Sequence, residues 1–180
     1  ITRLSEVADV GMNLLELDAI AHEMIRERGA EACYIDDHPS FGASPFGKVL
    51  CTSVNDAVLH GLPRDYVLAD GDLLSVDFAA SVDGWVADSA FSMVVGTARA
   101  EDLHLIEVTD RALAAGIGAA TVGNRIGDIS AAIGEVERNV GATERLDQRR
   151  GVGRLKTEHS RHRLGQAGVA VLAVASPVSR

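Results

Sequence analysis

The chain has 180 residues, 47% of them apolar, and a formal charge of −9, which suits one globular domain that needs no disulfide or structural metal to hold its core. The charge is uneven: residues 1–144 carry 9 Lys+Arg against 24 Asp+Glu, a net of −15, and residues 145–180 carry 8 against 2, a net of +6. So acidic a body argues against nucleic acid as a substrate, and no run of residues approaches the ~20 apolar positions of a membrane span.

The start, Ile1-Thr2-Arg3-Leu4, lacks the layout of a signal peptide and reads as a fragment boundary, so the expected location is cytoplasmic. A helix is predicted from Leu14 to Arg28. Asn13 can cap it, Glu16 follows at capping-box spacing, and Leu14, Leu17, Ala21, Met24 and Ile25 make one apolar stripe that Gly29 ends. A loop from His38 to Gly47 leads into a strand over Lys48 to Val54, and a short connection closes on His60-Gly61-Leu62-Pro63. Cys33 and Cys51 stand apart from each other and read as reduced thiols.

The run from Asp70 to Val95 carries the most information. Two apolar stretches flank Asp83-Gly84, a dipeptide suited to a two-residue type I′ turn, so a β-hairpin is predicted. If the turn holds those two residues, Val82 faces Trp85 and Asp77 faces Ala90. Asp88 then shares Asp77's face as a diagonal neighbour, about 7–8 Å away between backbones. A three-residue turn would shift the register and undo this arrangement. Further helices are predicted over Glu101 to Ala115 and Ile126 to Val140. Beyond Thr143 both periodicities fade, and residues 145–180 read as a basic tail distinct from the domain at 1–144.

Asp77 stands inside the apolar run Leu73-Leu74-Ser75-Val76-Asp77-Phe78-Ala79-Ala80. A carboxylate buried there is costly unless it is paired, hydrogen-bonded or bound to a cation. Asp88 has a similar setting on the partner strand, and a divalent ion between two such anions turns repulsion into attraction. The alternative is a pair of strand-edge aspartates facing water. His60 is a lone histidine whose following Gly and Pro fix an uncommon backbone path. Cys51 reads first as a small hydrophobe, and His22, His38 and His104 suggest no chemistry.

The order Cys51-Thr52-Ser53-Val54-Asn55, His60-Gly61-Leu62-Pro63, Asp70-Gly71-Asp72 leading to Asp77, then Asp83-Gly84 leading to Asp88-Ser89 resembles type I methionine aminopeptidases over about Leu14 to Val140. The resemblance implies the α+β pita-bread (creatinase/aminopeptidase-like) fold, its first half in residues 1–144. It implies removal of N-terminal methionine from peptides and nascent proteins, with the ribosome as a possible partner and no membrane involved. It also implies two divalent metal ions, of Co, Mn, Fe or Zn, with Asp77 and Asp88 as ligands and Asp88 bridging. His60 becomes the substrate-side histidine near the scissile amide, and Cys51 part of the methionine pocket wall.

The family pattern then departs. Where it has a ligand histidine in Gly-His-Gly-x-Gly, this chain reads Arg149-Arg150-Gly151-Val152-Gly153-Arg154, and a guanidinium stays protonated and does not ligate. Glu158 matches neither of the family's two later glutamates, and His159 and His162 fit no family segment. A reading-frame change in the tail, a truncated inactive duplicate, and a peptide- or metal-binding module all fit that pattern. Weak or absent turnover is the expectation for this chain.

Overall fold

In the computed structural model, residues 1–38, 44–143, 161–162 and 176–177 are described. The elements are α1 (Thr2–Val7), α2 (Leu14–Glu27), β1 (Glu31–Ala32), β2 (Leu50–Val54), β3 (Leu73–Val82), β4 (Trp85–Val94), β5 (Ala98–Arg99), α3 (Ala100–Ala119), α4 (Ile126–Thr143), β6 (Arg161–His162) and β7 (Ser176–Pro177). Part of the predicted His38–Gly47 loop, residues 39–43, lies outside the described residues. So do Arg149 to Arg154, Glu158, His159 and the boundary expected at residue 144.

The central sheet is antiparallel with β3 in its middle. One edge of β3 pairs with β4 along its whole length, and the other pairs with β2 over Leu74–Phe78 and with β1 over Ala80–Ser81. The hairpin has the predicted register, with Val82 opposite Trp85 and Asp77 opposite Ala90. Its turn takes φ +51° at Asp83 and +80° at Gly84, the two left-handed residues that a type I′ turn demands and that match the strand twist.

Alternation along the strands divides the sheet into two faces. Leu74 and Val76 of β3, Phe91 of β4 and Leu50 of β2 point to one side, where they pack with Leu4 of α1 and Leu14, Leu17, Ala21 and Ile25 of α2 into one buried cluster. The predicted stripe of α2 is the face that does this. Asn13 caps the helix as expected, its side-chain oxygen accepting from Leu15 N at 2.9 Å while its amide donates to Asp65 at 2.7 Å. Asp18 is the one charge on the buried side of α2, and it accepts from the backbone amides of Val49 and Leu50 at 2.9 and 3.1 Å. That contact ties the helix to the start of β2.

Asp77 and Asp88 therefore point away from the helical layer. Asp102, in the first turn of α3, is fully buried and paired with Arg99, and α3 and α4 pack against each other beside β4. Among the described residues no helix is long and apolar enough to cross a membrane.

Candidate metal centre

Pairing across three strands sets Cys51, Asp77 and Ala90 in one row, because Cys51 faces Asp77 from β2 and Ala90 faces it from β4. Asp88 is two residues beyond Ala90 on the same face, opposite Ala79. The two carboxylates are close enough for Asp77 to interact directly with Asp88. Burial, the Asp77 charge and the hydrogen bond with Asp77 all raise the Asp88 carboxyl above its ordinary range, against weaker opposing help from the Ser89 backbone and Tyr34. Two acids held this near resist ionising together, so the pair favours either a shared proton or a cation between them.

Burial differs from expectation for one of the pair. Asp77 is half-buried, whereas Asp88 is exposed. Its position is near the turn end of β4, two residues beyond Ala90, and the buried cluster with α1 and α2 lies on the other face of the sheet. The strand-edge alternative thus describes Asp88's exposure, while its proximity to Asp77 is what the hairpin register predicts.

Tyr34 joins the centre without having been foreseen. Its hydroxyl donates to Asp77 Oδ1 at 2.9 Å and stands 3.5 Å from Asp88 Oδ1. Desolvation, followed by the hydrogen bond and charge of Asp77, raises its phenol well above the usual range, so it remains a donor. Cys51 is buried next to these acids, and burial followed by the charges of Asp77 and Asp88 pushes its thiol up to about 12. Cys33, on the bend after β1, is raised by burial first and Asp88 second. Both cysteines are free, as expected.

His60 does not join the aspartates in a ligand cluster. It is exposed, in a left-handed conformation with φ +54°, and among the described residues no group of three or more His, Cys, Asp or Glu side chains could hold a metal ion. The following Gly61 explains the strained path. Its carbonyl accepts from Thr52 N at 2.7 Å and its amide donates to Ser53 Oγ at 3.2 Å, so the segment straps onto β2. A Cβ on Gly61 would lie 2.1 Å from the Thr52 carbonyl oxygen.

Two carboxylates on one face are hard oxygen donors that suit divalent cations and fill only part of such an ion's shell. Metallopeptidase family M24 matches residues 1–172, and the chain belongs to that family. Within it, the chain is similar to methionine aminopeptidase of Aquifex aeolicus, 35% identical over 77% of this chain and 54% of that protein. It is also similar to methionine aminopeptidase 1 of Mycobacterium tuberculosis, 44% identical over 68% of this chain and 44% of that protein. The chain thus spans about half the length of these relatives. A solved methionine aminopeptidase from Streptococci superposes with a TM-score of 0.73 at 29% identity, covering 78% of this chain and 60% of that one. Prolidase from Pyrococcus furiosus, with a TM-score of 0.64 at 19% identity, shares the fold. The fold is part of the α+β pita-bread architecture, as the resemblance implied.

Proposed function

We propose that this chain carries the first half of a methionine aminopeptidase active site, acting on peptides and nascent proteins with a free N-terminal methionine. The observation that carries this reading is the placement of Asp77 and Asp88 together on the open face of the hairpin, in a chain of the M24 family. Asp77 and Asp88 would hold two divalent ions, of Co, Mn, Fe or Zn. Bound there, such ions polarise a scissile carbonyl and supply the nucleophile.

The chain's own residues have separate parts. Cys51, buried in the row beside Asp77, forms the apolar wall against which a methionine side chain would rest. His60, held by the Gly61 strap, would be the substrate-side histidine near the scissile amide. The setting is the cytoplasm, with the ribosome as the place where new N-termini emerge. Two carboxylates alone hold ions weakly, so turnover by the 180-residue chain is expected to be slow.

The test is release of methionine from Met-Ala-Ser with Mn²⁺ supplied. Slow release is expected, lost with EDTA, with D77N or with D88N, and lost when the peptide is N-acetylated. Release that survives D77N and D88N, or no release together with no binding of the peptide, would overturn the reading.

A further inference from the structure

We infer that Tyr34 is a positioning residue for the two aspartates, its hydroxyl orienting the Asp77 carboxylate for a divalent cation. This rests on the reading of Asp77 and Asp88 as metal ligands. Carboxylate ligands are commonly held by hydrogen bonds from groups that do not touch the metal, and such bonds fix which oxygen is left to coordinate. Tyr34 has the geometry for that task. Its hydroxyl is 2.9 Å from Asp77 Oδ1 and 3.5 Å from Asp88 Oδ1, so one donor addresses the space between both acids.

The phenol is delivered there by a built segment. After β1 the chain leaves the sheet edge in a bend, with Cys33 N still reaching Ala79 O at 3.4 Å. A turn follows, Asp37 N donating to Tyr34 O at 3.1 Å, and Gly47 N and Phe46 N then bind the carbonyls of Ile35 and Asp37 at 3.0 and 2.8 Å. Those two bonds bring Phe46 onto the tyrosine ring, edge to face with centroids 6.1 Å apart. The ring is gripped by packing and the hydroxyl by Asp77, so the two roles are separable by substitution. Phenylalanine keeps the ring contact and removes only the donor.

The experiment measures Mn²⁺ binding by the full chain through loss of the free-ion paramagnetic resonance signal. Wild type, Y34F, Y34L, D77N and D88N are compared, with the thermal midpoint of each taken in EDTA. The expected result is loss of binding in D77N and D88N, and binding weakened about 10–100-fold in Y34F with a midpoint in EDTA equal to wild type. The spectrum of the bound ion should change in Y34F as well, since the carboxylate it meets is no longer held. Y34L should weaken binding equally and lower the midpoint too. If D77N and D88N lose binding while Y34F matches wild type, the Tyr34 inference alone fails. If D77N and D88N bind like wild type, the ligand reading fails and takes this inference with it. A midpoint in EDTA lowered as much in Y34F as in Y34L makes the residue structural, which also overturns the positioning role.

Discussion

Asp88 illustrates how the site works against the fold when no cation is present. Its carboxyl is raised by burial, by the Asp77 charge and by the bond with Asp77, so the folded state holds its proton more tightly than the unfolded chain does. Its contribution to stability is then fully present below the ordinary carboxyl value of about 3.9 and is lost as pH rises through the higher folded value. D88N should accordingly raise the thermal midpoint of EDTA-treated protein at neutral pH and give no gain near the ordinary carboxyl pKa; equal effects at both pH values would deny the repulsion. Cys51 makes a second case. With its thiol at about 12, its thiolate fraction at pH 8 is on the order of 10⁻⁴, so alkylation by iodoacetamide, followed by mass spectrometry, should be far slower than for an unstructured cysteine until the protein unfolds. The shared face of Asp77 and Asp88 is legible in sequence because a two-residue turn dictates register, and the burial of Cys51 follows from its reading as a small hydrophobe. Tyr34 was not legible, because it reaches the acids from a bend where no periodicity says which way a side chain points.

Elements joined by backbone hydrogen bonds rather than by side-chain pattern set the next scale. The strap Leu59 to Leu62 is fixed to β2 by the Gly61 carbonyl and amide, and its place depends on the missing side chain at Gly61. G61A would drive a Cβ to 2.1 Å from the Thr52 carbonyl, so the strap must lift and lose its bond to Thr52 N. A destabilisation of about 1–3 kcal/mol is expected from the orphaned buried group, read by urea unfolding, together with loss of whatever His60 contributes to methionine release. D18A should also destabilise, by about 1–3 kcal/mol for each orphaned amide, since Val49 N and Leu50 N both donate to Asp18. Wild-type stability in D18A would show that water replaces the clamp. The hairpin and α2 follow their sequence signals closely, the first through Asp83-Gly84 and the second through a full apolar stripe. Helix α1 spans only Thr2–Val7, and β1 and β5 span two residues each; such short pieces hold too few positions to express a period, and tertiary packing of Leu4, pairing of β1 with β3 and pairing of β5 with β6 define them instead. α3 runs to Ala119, past the predicted Ala115, because the Gly-rich end that suggested a loop packs Gly116 against Ile133 of α4.

At the scale of the molecule, the sheet keeps its apolar side under α1 and α2 and turns its acids to the other side. The register that sets Asp77 and Asp88 on one face was readable from Asp83-Gly84, whereas the face that α1 and α2 cover was not, since β3 reads as a nearly continuous apolar run. The acidic excess within residues 1–144, a net of −15, has its own consequence, since like charge on a compact body is self-repelling. Raising NaCl from low ionic strength to ~0.15 M should therefore raise the thermal midpoint, through screening over a Debye length of about 8 Å. Mn²⁺ at far lower concentration should raise it further, because an ion that binds only the folded state stabilises by mass action and its effect grows with the logarithm of its concentration. The two effects separate in the D77N/D88N double variant. It should keep the NaCl response, which belongs to the whole acidic surface, and lose the Mn²⁺ response, which belongs to one pair of carboxylates. If the double variant still responds to Mn²⁺ as wild type does, the ion is acting as a diffuse counterion and the carboxylate pair is not its site.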